Sequence, residues 1–254
     1  MVRIVTLTAL LVAACGGSEE SIEVPLPVVV SADGMVPGQS DEGYQVTVTR
    51  VRAALSDLEL TVGGETHDEG ALARLWGLVV GTAHAHPGHA SGGEVTGAMP
   101  GPFVIDWMDS GAALGTASLL EGDYEGANFT FRRAGSEHGL EDGDPLIGHT
   151  FAIEGTAEKD GDTIRFDALI DVDDGTVMVG APFVLEVRSG IQRTLALEMD
   201  LTSPVDGKHV FTGVDFAALD GDGDGEVAIR PGDDAHNILR RSVQVHDFYW
   251  IAVR

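Results

Sequence analysis

Cysteine is almost missing from this chain of 254 residues: there is one, at position 15. The folded part therefore has no disulfide and no thiolate for chemistry or metal binding. Basic residues are few as well. Fifteen Lys and Arg stand against 41 Asp and Glu, for a formal charge of −26. Nucleic-acid affinity comes mainly from Lys and Arg on phosphates, so this balance argues against nucleic acid as a partner. It argues equally against a docking face for anionic lipid, and it favours cations. Long hydrophobic runs are absent. The apolar stretch from Ile4 to Ala14 is too short to span a bilayer, which takes ~18 residues or more. There is no G-x-S-x-G, no phosphate loop and no H-E-x-x-H, so no motif points to catalysis.

What is present begins at the N-terminus. Met1-Val2-Arg3 is a short basic start, and the apolar stretch after it matches the core of a secretory signal. It ends in Leu11-Val12-Ala13-Ala14-Cys15. These residues resemble a bacterial lipobox, in which small residues precede a cysteine that is lipidated and becomes the new N-terminus. The resemblance implies a signal peptide over 1–14, lipidation at Cys15 and stable anchoring by two or more acyl chains. Gly16 after the cysteine, where an acid would retain the protein at the inner membrane, resembles the pattern of lipoproteins sorted to the outer membrane. The expected location is the bacterial cell envelope, facing periplasm or surface, with the lipid anchor as the membrane contact and any envelope protein partner unspecified. Gly16–Gly43 is rich in Ser, Glu, Pro and Gly. It reads as a flexible tether in which Ile22–Val30 touches the domain.

From Tyr44 the pattern changes. Val46 and Val48 alternate with polar residues, as do Leu58, Leu60 and Val62. Such period-two patterns are half-buried strands. Leu72, Leu75, Trp76 and Val79 instead fall at helical spacing within Glu69–Val80. Strand patterns return with Phe103, Ile105 and Trp107, then with Phe129 and Phe131. Phe151 and Ile153 pair by pattern with Ile164, Phe166 and Ala168 across Lys159-Asp160-Gly161-Asp162, a strong hairpin signal. Phe183, Leu185 and Val187 turn at Ser189-Gly190 toward Leu195–Leu201. Asp171–Gly175 is acidic and reads as a hairpin turn, and the sequon at Asn128 reads as part of a strand. Asp233 or Asp234 is placed to cap a short helix through Arg241, and Phe248–Val253 closes the chain as a strand. About ten strands, no βαβ alternation and no repeat predict a mainly β fold. The expected architecture is one antiparallel β-sandwich over 44–254 with one or two short helices.

Two stretches carry candidate metal chemistry. In His84-Ala85-His86-Pro87-Gly88-His89, three of the nine histidines fall within six residues. In an extended segment His84 and His86 share a side, and Pro87-Gly88 favours a turn that returns His89 toward them. Neutral imidazoles suit copper or zinc. A fourth ligand is open among His67, Asp68, Glu69, His138 and His149. The second stretch is Asp220-Gly221-Asp222-Gly223-Asp224-Gly225-Glu226. Its aspartates are spaced as positions 1, 3 and 5 of an EF-hand calcium loop. Gly225 stands at position 6, where the sharp turn is needed, and Glu226 offers a backbone carbonyl at position 7. Position 12 is Pro231, not the bidentate Glu, and Asp233 or Asp234 is the possible substitute. The stretch resembles the EF-hand-like loops of extracellular proteins rather than a paired sensor hand. That implies weak, structural calcium binding.

A further resemblance covers about a quarter of the chain. Tyr44–Leu60 and Leu120–Phe131 are similar to the opening strand and the G-x-Y-x-x-x-x-F strand of the methanobactin-associated periplasmic copper-binding family. Members are β-sandwich copper carriers. The shared motifs are strand patterns, so the resemblance implies a sandwich and a bias toward copper but assigns no ligand. Three functions follow as expectations. The first is an outer-membrane lipoprotein that binds or carries copper or zinc at His84, His86 and His89, with calcium in the acidic loop. The second is a calcium-stabilised structural or adhesive lipoprotein. The third is a metal-dependent hydrolase, in which three histidines would hold an activated water.

Overall fold

Half-buried strands need partners on both edges and a core under one face, and the chain supplies both in a single large sheet. A computed structural model describes residues 22–62 and 93–254. Within them lie thirteen strands, in order β1 (Glu23–Ser31), β2 (Gly38–Gln39), β3 (Gln45–Val62), β4 (Glu94–Met99), β5 (Phe103–Asp106), β6 (Ala113–Leu120) and β7 (Gly122–Phe131). After these come β8 (Phe151–Lys159), β9 (Asp162–Ile170), β10 (Val177–Val187), β11 (Leu195–Met199), β12 (Glu226–Ile229) and β13 (Tyr249–Val253). Two short helices, α1 (Phe216–Leu219) and α2 (Asp234–Ser242), lie late in the chain. The described residues are mainly β with two short helices, and the mainly β fold is what the alternation predicts. No helix among the described residues is long and apolar enough to cross a membrane.

The strand β3 organises the rest. Its first half pairs with β8, through Val46↔Ala157 and Val51↔Ile153. Its second half pairs with β7 on one side and β4 on the other. From there the sheet runs β12-β9-β8-β3-β4-β6-β1-β11-β13, with β10 joined through β7. Most ladders are antiparallel, but β1–β11 and β9–β12 are parallel, so the sheet is mixed. It folds over one apolar core. Trp107 stacks on Phe151 at 6.3 Å, and Tyr249 packs edge-on against Phe129 at 5.1 Å. Strand β10 lies beside β13 without a ladder, so the sheet does not close into a barrel.

Alternation predicts two separate strands at Val46–Val48 and Leu58–Val62, whereas β3 is continuous. Residues Val51 to Ser56 are all buried. Both faces are covered there: Ala54 and Ala152 on the second face pack under Leu146 and Ala134 of the 132–150 loop. Two-sided burial erases the period-two pattern. That loop is pinned by Arg52, which donates two bonds to Asp144, at 2.8 and 2.9 Å.

The expected tether is shorter than its composition suggests. β1 is an interior strand, paired with β6 and β11, and Val24, Leu26, Val28 and Val30 are buried. The domain therefore begins no later than Glu23 rather than at Tyr44. Pro25 and Pro27 disguise it, since proline rarely sits inside a sheet. Both precede Val28, where the β11 ladder begins, so neither removes a donor from that ladder. Asp171–Gly175 also differs from expectation. It links β9, which pairs with β8, to β10, which pairs with β7, so it is a crossing connection and not a hairpin. The β8–β9 hairpin forms in the predicted register, Ile153↔Ala168 and Ala157↔Ile164. Its two tip residues, Asp160 and Gly161, have φ of 55° and 97°. Such a turn suits the twist of the flanking strands and needs an Asp-Gly type pair.

Candidate metal site

The acidic loop is built from its scaffold outward. Asp215 caps α1, its Oδ1 accepting from the Ala218 N–H at 3.3 Å. The same oxygen accepts from the Tyr44 hydroxyl at 2.7 Å, and that hydroxyl accepts from the Ala217 N–H at 2.9 Å. Tyr44 is buried and meets Phe216 edge-on at 5.3 Å. These contacts fix the single turn of α1 to the residue just before β3. They also set the protonation of the pair. The Tyr44 hydroxyl holds the Asp215 carboxyl below its ordinary range, and burial pushes the Tyr44 phenol up.

Asp220 ends α1, and the chain turns sharply. Gly223 and Gly225 have φ of 73° and 78°, a region glycine enters without strain. Asp220 Oδ2 accepts from the Gly225 N–H at 3.1 Å, and Asp224 Oδ1 accepts from the Glu226 N–H at 2.9 Å. The loop then becomes β12, and the Arg165 N–H of β9 donates to the Gly225 carbonyl at 2.8 Å. Asp220, Asp222 and Asp224 each bring one carboxylate oxygen within 4.8 Å of the others. This cluster could hold a metal ion. Asp220 Oδ1 is the informative atom: it is buried and accepts no hydrogen bond from the described residues. A buried carboxylate oxygen without a donor is costly, and a cation is one remedy.

The flanks are a four-residue helix and a strand, so this is not a paired EF-hand. The Glu226 side chain points away from ligand duty, exposed and 4.0 Å from Arg165. Its expected contribution is the main-chain carbonyl alone. Asp233 and Asp234 do not join the cluster. Asp233 stands at the N-cap of α2, with Oδ2 accepting from the Arg230 N–H at 2.7 Å, and Asp234 opens its first turn. The Asp233 carboxylate thus closes the turn before α2 and makes no capping bond, while Asp234 puts a negative charge in the first turn, where the helix dipole favours it.

Sequence reasoning missed the neighbours of the loop. A cavity of about 670 Å³ beside it is lined by Asp215, Asp220 and Asp224, and also by Lys159, Asp160 and Asp162 from the β8–β9 tip. The hairpin was readable as a turn, but its meeting with a loop sixty residues on was not. Helix α1 was also missed. Its signal was local, an Asp followed by Phe-Ala-Ala-Leu.

Cys15, His67, His84, His86 and His89 lie outside the described residues, as does the expected helix over Glu69–Val80. The segment that carries His67 and the histidine cluster joins β3 to β4, whose ends pair at Val62↔Glu94. Of the other candidate ligands, His149 holds Asp171 through Nδ1 at 2.7 Å, and His138 Nδ1 accepts from the Gly135 N–H at 3.1 Å. Neither joins a cluster with metal-ligand geometry among the described residues. No protein-family model matches the chain, and no curated protein or solved structure matches it.

Proposed function

We propose that this protein is a calcium-binding β protein of the bacterial cell envelope, held to the outer membrane by lipid at Cys15. Calcium is bound at Asp220, Asp222 and Asp224 with the Glu226 carbonyl, and its role is to brace the loop between α1 and β12. The observation that carries this reading is the buried, undonated Asp220 Oδ1 within a set of three convergent carboxylates. Charge favours it too. At −26 the chain attracts divalent cations, and crowding three carboxylates in one turn is eased by one of them. The oxygen-only donor set suits calcium over copper or zinc.

The experiment is a melting curve of the full chain after chelation, with and without calcium. For a site with Kd on the order of 10⁻³ M, 10 mM calcium adds about 1.4 kcal/mol, or roughly 3–6 °C for a domain of this size. Asp220→Asn and Asp222→Asn should remove most of that gain. A melting temperature indifferent to calcium sinks the proposal.

A second reading rests on a specific feature, the three imidazoles within His84–His89. On this reading the segment between β3 and β4 binds copper or zinc, and the protein buffers or carries that metal. The two metals would occupy separate sites, one of oxygen and one of nitrogen donors.

A further inference from the structure

His209 lies outside the candidate metal site and is the most deeply buried histidine among the described residues, at 1 % exposure. It sits in a segment that folds back on itself. Val210 N–H donates to the Leu201 carbonyl, Ser203 N–H to the Lys208 carbonyl, and Thr202 bridges to His209. The turn closes through Thr212, whose N–H donates to the His209 carbonyl at 2.9 Å. The imidazole itself holds the turn. The Phe211 N–H donates to His209 Nδ1 at 3.2 Å. An accepting Nδ1 carries no proton, so the neutral ring bears its proton on Nε2. Nε2 is buried and has no hydrogen-bond partner among the described residues. It lies against Gly38 of β2, where an added Cβ would come within 3.0 Å of it.

We propose that His209 is a proton-operated latch: a second proton on its ring removes the acceptor of the Phe211 N–H and opens the 201–213 segment. The reasoning is one of donors and acceptors. Protonated imidazole has two N–H groups and no lone pair, so Nδ1–H would face the Phe211 N–H directly. The ring cannot turn to water without leaving its site. Relief comes only by opening the turn.

The surroundings set when this happens. Burial lowers the His209 pKa from 6.5 to about 4, and the charge of Asp41 works in the other direction. A cavity of about 440 Å³ borders the ring. Its charged walls are Asp206 and Lys208 on the segment, Arg241 on α2, and Asp247 beyond it. Asp206 is engaged by Lys208 at 2.8 Å, and Asp247 by His246 at 3.0 Å. Among the described residues no carboxylate bonds to the His209 ring to hold the extra proton. Opening would uncover this cavity and the edge of Phe211, which packs on Phe166 at 5.0 Å.

The latch is tested by residue-resolved amide exchange on the full chain at pH 7 and pH 4.5, corrected for intrinsic rates. With the ring near 4 when closed and near 6.5 when open, protection at Phe211 and Thr212 should fall roughly fifty-fold across that interval. It should also drop below the protection of the β8 amides, since the segment opens while the sheet stays folded. His209→Asn keeps an acceptor at the Nδ1 position but does not titrate, and the drop should vanish. An equal drop in the Asn variant overturns the latch. If that variant does not fold, the wild type decides alone. Phe211 and Thr212 amides tracking those of β8 at both pH values would mean that the segment opens only by global unfolding, and that also overturns it.

Discussion

Replacing Asp144 by Asn removes one charge from the pair that clamps the 132–150 loop onto β3. Arg52 keeps 7 % side-chain exposure and Asp144 17 %, and the guanidinium meets the carboxylate with two bonds of 2.8 and 2.9 Å. The same carboxylate accepts from the Leu146 N–H at 2.9 Å, which ties the loop's apolar anchor to the pair. Removing one partner of a buried, bidentate pair leaves the other charge without compensation, at a cost of ~3–5 kcal/mol. Asn retains one acceptor for Arg52, so the low end is expected, about 3 kcal/mol, or a melting temperature ~6–12 °C lower. Urea unfolding at pH 7 measures this directly. The pH dependence is a second check. The Arg52 guanidinium holds the Asp144 carboxyl below 3.8, so its contribution is present above that value. It is lost as pH falls through the lowered folded value. The wild-type advantage over Asp144→Asn should therefore shrink only below about pH 4. Arg52→Met with Asp144→Leu should recover most of the stability, because neither charge is then left buried. A cost under about 1 kcal/mol, or a gap that stays the same from pH 7 to pH 3, would show that the pair does not hold the loop.

Trp107 is fully buried and stacks on Phe151, so Trp107→Ala should cost ~3–5 kcal/mol by urea titration. A cost under ~1 kcal/mol would mean that the core collapses around the gap. Cys15→Ser should abolish fatty-acid labelling and release the protein from membranes; retained label would refute the lipobox reading. Copper binding in ~0.5 M salt, which screens diffuse attraction, should be lost in the triple variant His84→Ala, His86→Ala, His89→Ala and should weaken below roughly pH 6.5 in the wild type. Equal affinity in variant and wild type would leave calcium as the only metal.

Local signals were legible and pairings were not. The Asp160-Gly161 tip announced the β8–β9 hairpin, because two residues with positive φ demand that chemistry. The acidic loop was legible for the same reason, since Asp spacing and Gly225 act within seven residues. The start of α2 was legible as Asp233 or Asp234; Asp233 takes the N-cap position, although its side chain makes no capping bond there. What failed depended on distant partners. β1 was hidden by Pro25 and Pro27, whose tolerance depends on where β11 begins. The centre of β3 lost its alternation because Leu146 and Ala134 cover its second face. The acidic residues that adjoin the loop come from a hairpin whose approach is set by the parallel β9–β12 ladder. A single sequence carries no register between strands so far apart.

The pairing of β1 with β11 sets an order of events during biogenesis. Val28 lies opposite Leu195, and β11 in turn needs β13, whose Tyr249 closes the aromatic core. Contacts so distant in sequence form slowly, because a long loop must close before any of them is rewarded. On a chain made N-terminus first, β1 can pair with β6 well before β11 and β13 exist. Until then β1 keeps one open edge, and open edges invite pairing with other chains. The β11-facing edge of β1 is therefore covered only late in folding, and loss of the last five residues, which removes most of β13, should be felt at β1, far away in the sequence.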